Sequence, residues 1–285
     1  MSLALVFDVD NTLTPPRQPL RPEMAAALGR LPFAFHLAAG SDLALVQQQV
    51  LEPLRVLGFR GSLDAFVCNG ADRYRCTVAE EVRIQPLSSF RLRDHLGPQI
   101  FAELCALLER VLHSPEFSLA GSGVIVRGPQ VIDRGSMINF APMGRPDSLT
   151  EQDYANRGAF VEFDRRTRYR ERLLAYLRSA TAEWQQRFRL RITLGGQTSF
   201  DLVIEGYDKR YPLETLLREG ASSLLYFGDA LHPGGNDSAV LEWIEGWNGR
   251  GPCPVRAVAV HGWEDTLRHL QALAEGEAAR IPVSD

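Results

Sequence analysis

Short apolar runs alternate with segments of helical periodicity at the start of the chain. Leu3–Phe7 and Ala34–Ala39 are apolar runs of strand length, and both are followed by polar residues. Arg21–Leu31 and Asp42–Leu51 carry apolar residues at helical spacing, the second beginning at Ser41 or Asp42 as its N-cap. This alternation predicts a parallel sheet with helices on its faces.

The same alternation returns near the C-terminus. The predicted elements there are two helices and two strands: Tyr211–Glu219, Ser223–Phe227, Val255–Val260 and Glu264–Glu275. Since the two ends share one pattern, we expect residues 1–81 and 207–285 to form one catalytic α/β core with a parallel sheet.

Residues 82–206 follow another pattern and predict an inserted α+β cap domain. Its predicted helices are Ile100–Leu112 and the basic segment Tyr169–Gln185. Its predicted strands are Val124–Arg127, Ser136–Phe140, Leu190–Leu194 and Ser199–Ile204. The sequence therefore predicts a split α/β core that carries a cap.

Composition narrows the class of protein. The 285 residues are 45% hydrophobic and 23% charged, which is ordinary for a globular protein. A formal net charge of -4 argues against a nucleic-acid binder, which needs a basic surface. No apolar run approaches the roughly 18 residues that span a bilayer, and no signal-peptide pattern precedes the first strand. The four cysteines show no metal-binding spacing, so we expect free thiols in the cytoplasm.

Two carboxylates follow the first predicted strand. Asp8 and Asp10 are separated by one residue, so both side chains point into the crevice at the carboxyl end of the sheet. A carboxylate can attack phosphorus when a cation suppresses the repulsion between the two anions. We therefore predict Asp8 as the nucleophile and Asp10 as the general acid and base.

Further polar residues follow the other predicted strands. The hydroxyl of Ser41 can donate to a phosphoryl oxygen, and Lys209 follows the inserted segment. Asp229 can bind Mg²⁺ together with Asp8 and the backbone carbonyl of Asp10. We expect two further residues to orient the metal's ligands or to brace Lys209: Asn236 and Asp237.

Each of these residues also has a simpler interpretation. Ser41 can serve only as a helix cap, and Asp229 can belong to a plain turn. Lys209 is the single lysine of a chain whose other strongly basic residues are all arginine. It can be a chance surface residue, or a compact ammonium kept to reach one phosphoryl oxygen. The order of the four groups along the chain favours phosphoryl transfer.

At this point the chain resembles the haloacid dehalogenase superfamily of phosphotransferases. The four motifs of that superfamily match Asp8 with Asp10, then Ser41, Lys209, and Asp229 with Asp237. The resemblance implies a Rossmann-like core, an aspartyl-phosphate intermediate and an Mg²⁺ cofactor.

Longer stretches resemble the eukaryotic-type phosphomannomutases over most of the chain. These stretches are Asn11–Gln18, Gly195–Asp201, Tyr207–Tyr211, Pro233–Asp237 and Glu264–Thr266. The resemblance implies that cap arginines grip the distal phosphate, which suits the planar fork of a guanidinium. The matched substrate-binding residues are Arg134, Arg145, Arg157, Ser199 and Asp201 in the cap, and Arg17 in the core. It also implies a homodimer formed through the cap.

The chain departs from that family in several places. Val82–Val126 is longer and barely similar, extra residues lie between Arg145 and Arg157, and Cys68 stands where the family has an acidic residue. These departures concern the substrate more than the chemistry.

Three functions follow from these residues. The first is a phosphohexomutase, most similar to phosphomannomutase, with a hexose 1,6-bisphosphate as activator. The second is a sugar-phosphate phosphatase, in which water attacks the aspartyl-phosphate. The third is a catalytically silent binding protein, which the intact Asp8, Asp10, Lys209 and Asp229 disfavour.

Overall fold

The computed structural model describes residues 3–146, 150–232 and 235–275. The chain divides into two compact units, one formed by Met1–Ser89 with Gly206–Asp285 and the other by Phe90–Glu205. Within the described ranges, no helix is long and apolar enough to cross a membrane.

The first unit contains a seven-stranded sheet in the order β11-β10-β1-β2-β3-β4-β5. Its strands are β1 (Leu3–Phe7), β2 (Ala34–Ala38), β3 (Gly61–Val67), β4 (Asp72–Val78), β5 (Val82–Ser89), β10 (Ser223–Gly228) and β11 (Val255–Ala259). From β11 to β3 every pair is parallel. The prediction of an α/β core with a mostly parallel sheet is therefore confirmed.

The neighbouring strands β1 and β10 decide where the acidic residues meet. Both are almost fully buried, which explains why each reads as an unbroken apolar run. Their register pairs Phe7 with Phe227, so Asp8 and Asp229 follow at the same edge of the sheet. The Asp8 N–H extends the pairing by donating to the Phe227 carbonyl at 2.9 Å.

The antiparallel strands β4 and β5 complete the sheet and correct one predicted boundary. We expected the cap to begin at residue 82, but β5 pairs with β4 along its whole length, so the first unit extends to Ser89. The chain reverses after β3 through the four residues 68–71, of which Cys68, Asn69 and Gly70 have positive φ angles of 51°, 58° and 90°. Asn69 and Gly70 favour such left-handed backbone, whereas Cys68 gives no such signal.

The predicted helices of the first unit lie near their expected positions, and further helical segments accompany them. They are Pro22–Gly29, Leu43–Val46, Glu52–Val56, Arg210–Arg218, Ser238–Glu245 and Trp263–Ala274. Asp42 caps the second helix by accepting from the Leu45 N–H. A π-helical turn, Gln47–Leu51, joins Leu43–Val46 to Glu52–Val56. Helix Ser238–Glu245 and the π turn were not predicted.

The second unit contains an antiparallel sheet and five helices among its described residues. The sheet order is β6-β7-β9-β8, with β6 (Val131–Asp133), β7 (Ile138–Phe140), β8 (Leu190–Gly195) and β9 (Ser199–Ile204). The helices are Leu92–Leu96, Pro98–Leu112, Glu151–Thr167, Tyr169–Ala180 and Ala182–Phe188. The structure thus has the α+β content expected of this segment.

Two predictions within the second unit are wrong. Val124–Arg127 is not a strand, because the side chain of Asn156 binds both the N–H and the carbonyl of Ile125, at 2.8 and 2.7 Å. The predicted helix Tyr169–Gln185 is two helices, and a third precedes it from Glu151. A capping box at Thr150 and Asp153 begins that third helix, and this signal is readable in the sequence.

Candidate active site

Four predicted residues meet at the carboxyl end of the parallel strands. Oxygen atoms of Asp8, Asp229 and Asp237 lie within 4.8 Å of one another. Lys209 joins two of them, since its Nζ donates to Asp8 Oδ1 and to Asp237 Oδ1, both at 2.6 Å. The lysine side chain is 1% exposed, so its interpretation as a chance surface residue is wrong.

Both carboxylate oxygens of Asp237 accept hydrogen bonds from neighbouring groups. Its Oδ1 also accepts from the Tyr226 hydroxyl at 2.6 Å, and its Oδ2 accepts from the Ala230 N–H at 3.1 Å. A Cβ at Gly228 would lie 2.6 Å from Asp237 Oδ2, so this position needs glycine. With both oxygens engaged, Asp237 is suited to bracing Lys209 rather than to binding a metal directly.

Burial and mutual charge shift the pKa values of the residues in this cluster. Burial raises the pKa of Asp8 to about 7, the charges of Asp237 and Asp229 add to the rise, and Lys209 opposes it. The pKa of Lys209 is raised, because attraction to Asp237 and Asp8 outweighs the opposing effect of its own burial. The lysine therefore remains an ammonium, and the cluster holds three acidic groups against one cation.

The donors present suit a magnesium ion. Carboxylate and carbonyl oxygens are the ligands that Mg²⁺ takes in proteins, usually together with waters. Asp229 is only partly buried, and its Oδ2 accepts a hydrogen bond from Asn11 Nδ2 at 2.8 Å. Asp8, Asp229 and the Asp10 carbonyl are thus the residues that would hold the ion, as the sequence predicts.

Asp10 lies beside this cluster and is oriented by a hydrogen-bond pair. Its Oδ1 accepts from the main-chain N–H of Arg17 at 2.7 Å and from Gln49 Nε2 at 2.9 Å. The residue is only partly buried, whereas Arg17 is exposed and has a φ of 56°. The left-handed conformation at Arg17 turns its N–H back toward Asp10.

Two other predicted residues stand apart from these contacts. Ser41 is partly buried, and its carbonyl accepts from the Cys68 N–H at 2.8 Å. Asn236 is exposed, while Pro233 and Gly234 of the same motif lie outside the described residues. The roles predicted for Ser41 and Asn236 stay predictions.

The second unit holds its own polar cluster, centred on Asn139 in β7. Asn139 is 3% exposed, and its Nδ2 donates to Asp201 Oδ1 at 2.7 Å and to Ser199 Oγ at 3.2 Å. Its Oδ1 accepts from Arg145 at 3.2 Å. Three predicted substrate-binding residues therefore share one buried amide that the sequence analysis did not single out. No local signal in the sequence marks Asn139, because it meets Asp201 through the pairing of β7 with β9.

The electrostatics of this second cluster centre on Asp201. Burial raises its pKa, and the hydrogen bond from Asn139 and the charges of Arg134 and Arg145 oppose the rise. A Cβ at Gly195 would lie 2.8 Å from the Asp201 carboxyl group, so the close approach of β8 depends on that glycine.

Arg157 lies on helix Glu151–Thr167 instead of the sheet, and its predicted role stays a prediction.

The fold and the core cluster define the class of protein. Solved structures with this fold include IMP-bound, N-terminally truncated IMP-nucleotidase of Plasmodium falciparum (TM-score 0.60, 12% identity, covering 96% of this chain and 68% of that one). Trehalose-6-phosphate phosphatase of Aspergillus fumigatus is also similar (TM-score 0.56, 14% identity, covering 96% and 93%). These neighbours have the haloacid dehalogenase fold, and the likeness shows that this chain shares that fold.

Sequence comparison defines the family. A model described as eukaryotic phosphomannomutase matches residues 30–273, and the chain belongs to that family. Phosphomannomutase 1 of Homo sapiens is 32% identical over 242 residues, which cover 83% of this chain and 82% of the relative. The phosphomannomutase of Encephalitozoon cuniculi is 30% identical over 274 residues, covering 94% and 92%.

Proposed function

We propose that this enzyme is a magnesium-dependent phosphohexomutase that interconverts hexose 1-phosphate and hexose 6-phosphate through an aspartyl-phosphate on Asp8. The observation that carries the proposal is the buried Lys209, which joins Asp8 to Asp237 within an acidic cluster that also contains Asp229. A nucleophilic carboxylate needs nearby positive charge to approach a phosphate dianion. The phosphomannomutase relatives support a hexose phosphate as substrate.

The reaction has two matched half-reactions. An oxygen of Asp8 attacks the phosphorus of a hexose 1,6-bisphosphate, the bond between phosphorus and the sugar oxygen breaks, and Asp10 gives its proton to that oxygen. The hexose monophosphate then presents its other hydroxyl. Asp10 takes the proton of that hydroxyl as it attacks the phosphorus and releases Asp8. A bound Mg²⁺ would neutralise charge on the transferring phosphoryl group.

The polar cluster of the second unit supports a mutase over a phosphatase. A mutase must hold the phosphate that is not reacting, and Arg134 and Arg145 suit a phosphate dianion. Asp201 and Ser199 suit a sugar hydroxyl or a phosphate oxygen. We propose that these residues and Arg157 bind the distal phosphate and the sugar.

Phosphorus NMR tests the proposal. The enzyme is incubated with Mg²⁺ and mannose 1-phosphate, with and without a trace of glucose 1,6-bisphosphate. We expect mannose 6-phosphate only when the bisphosphate is present, because the enzyme must first be phosphorylated. Release of inorganic phosphate without isomerisation would establish the sugar-phosphate phosphatase instead.

A variant of the nucleophile tests the mechanism. Asp8→Asn should abolish turnover, because an amide cannot carry the covalent phosphate. The variant keeps the size of the side chain, so thermal unfolding should confirm that it folds. Turnover by folded Asp8→Asn protein would contradict the mechanism.

We also propose a homodimer formed through residues 90–205 and a cytoplasmic location, both suggested by the family. Light scattering of the purified chain should give the mass of two chains. A monomer at every concentration would contradict the dimer.

A further inference from the structure

Gln49 contacts the proposed acid and base and has no part in the mechanism above. Its Nε2 donates to Asp10 Oδ1 at 2.9 Å, and the same oxygen accepts from the Arg17 N–H at 2.7 Å. A carboxylate oxygen has two lone pairs, so these two donors fill Oδ1. The other oxygen of Asp10, Oδ2, is left to carry the transferred proton.

The backbone delivers Gln49 to Asp10 by an unusual turn. Gln49 is the central residue of the π turn Gln47–Leu51, and its carbonyl accepts from the Leu20 N–H at 2.7 Å. One residue advances an α-helix by about 100°, so the extra residue of a π turn redirects a side chain by a similar angle. Such turns occur often at functional sites.

The acceptor end of the Gln49 amide does not contribute to the stability of the fold. Gln49 is 1% exposed, and its Oε1 is buried without a hydrogen-bond partner among the described residues. A buried carbonyl oxygen without a partner lowers stability, whereas an apolar side chain of similar length carries no such penalty. The donor end of the amide makes the contacts: it donates to Asp10 Oδ1 at 2.9 Å and, at the longer distance of 3.5 Å, to the Gln18 carbonyl.

We propose that Gln49 is a positioning residue for phosphoryl transfer, and that it holds Asp10 so that Oδ2 exchanges the proton with the sugar oxygen. The inference rests on the proposed function, because it assigns a task to the general acid. Loss of the amide donor leaves Asp10 Oδ1 with the Arg17 N–H as its remaining donor, so the carboxylate is held less firmly. Binding of the sugar phosphate does not depend on that rotamer, so kcat is the constant that changes.

The test compares Gln49→Met with Gln48→Met in the mannose phosphate mutase assay. Gln48 lies on the same π turn and is exposed, so its variant controls for the substitution. A correctly placed general acid contributes about 100- to 10,000-fold, and we expect its misplacement in Gln49→Met to lower kcat at least about tenfold with an unchanged KM. Gln48→Met should retain the activity of the unaltered enzyme.

Two further readouts separate positioning from damage to the fold. Gln49→Met should unfold at a temperature close to that of the unaltered enzyme, because removal of the unpaired oxygen offsets the loss of the hydrogen bonds to Asp10 and Gln18. Gln49→Glu, which replaces the donor with a second carboxylate facing Asp10, should be slower than Gln49→Met. Phosphorylation of the enzyme by acetyl phosphate, whose leaving group departs without a proton, should be equally fast in the unaltered enzyme and Gln49→Met.

The outcomes distinguish this inference from the function on which it rests. A kcat for Gln49→Met within twofold of the unaltered enzyme would overturn the inference and leave the mutase intact. Equal losses with mannose 1-phosphate and acetyl phosphate would also overturn it, since a general damage to Asp8 would then be the cause. Failure of the unaltered enzyme to isomerise mannose phosphate would refute the proposed function itself.

Discussion

Replacement of Asn139 by leucine tests whether the polar cluster of the second unit binds substrate. Leucine has a similar size and no hydrogen-bonding group, so the variant removes the contacts without leaving a large cavity. Asp201 and Ser199 lose a donor at 2.7 and 3.2 Å, and Arg145 loses its acceptor. These three side chains then lack the restraint that aligns them.

The size of the effect follows from the contact with Asp201. A hydrogen bond to a charged group contributes about 1.5–3 kcal/mol, and about 1.4 kcal/mol corresponds to a tenfold change in an equilibrium constant. We therefore expect Asn139→Leu to raise the KM for mannose 1-phosphate by about 10- to 100-fold. Because the distal phosphate is bound in the ground state and the transition state alike, kcat should change little.

Initial rates over a range of mannose 1-phosphate concentrations measure the effect, with Asn156→Leu as the matched control. Asn156 is also buried in the second unit, but its amide binds only the backbone of Ile125. Both variants should unfold at a lower temperature, and only Asn139→Leu should show the higher KM. An unchanged KM in Asn139→Leu, or an equal rise in both variants, would refute the assignment of this cluster to substrate binding.

Three further predictions concern the core cluster. Gly228→Ala should lower the free energy of unfolding by about 1–3 kcal/mol, since its Cβ would lie 2.6 Å from Asp237 Oδ2. Thermal unfolding measures this effect. Gly158→Ala is the control and should not destabilise the protein, because its Cβ meets no atom within 4 Å. Lys209 should resist an amine-reactive reagent in the folded protein because it is 1% exposed, and mass spectrometry of its peptide would reveal any modification. The raised pKa of Asp8 stabilises the metal-free fold below pH 3.8, and this contribution is lost as the pH rises to about 7. Mg²⁺ must displace the Asp8 proton, so its affinity should weaken about tenfold per pH unit below that value, and calorimetric titration showing no pH dependence would contradict this.

The core site could be predicted from the sequence because its acidic residues directly follow predicted strands. Asp8 and Asp229 directly follow buried apolar strands, and the carboxyl ends of parallel neighbours meet at one edge of the sheet. Lys209 could be singled out as the chain's one lysine. These signals depend on residue type and on the ends of elements, both of which are local properties of the chain.

The contacts that hold these residues depend on side-chain packing and are not local. Tyr226 reads as one more apolar residue of a buried strand, yet its hydroxyl donates to Asp237. Gln49 belongs to a run of three glutamines, and no periodicity indicates the π turn that directs it toward Asp10. Asn139 meets Asp201 only because β7 and β9 pair in that register.

The domain boundary was misplaced because two antiparallel strands were not recognised in the sequence. Neither β4 nor β5 was identified as a strand from the sequence, and the change of pattern was placed after residue 81, between the two strands. We therefore assigned β5 to the insertion. Hydrogen bonding with β4 places it in the first unit instead.

The charge balance of the core cluster implies that the proposed phosphate substrate would bind there only together with a cation. Lys209 gives one positive charge to Asp8, Asp229 and Asp237, and both oxygens of Asp237 are engaged by neighbouring donors. Burial then favours the protonated, non-nucleophilic form of Asp8 until the pH reaches about 7. A divalent cation bound to Asp8 and Asp229 would supply the missing charge and favour the ionised nucleophile. The same balance implies that a phosphate dianion and a metal ion bind here together, since each offsets the charge of the other.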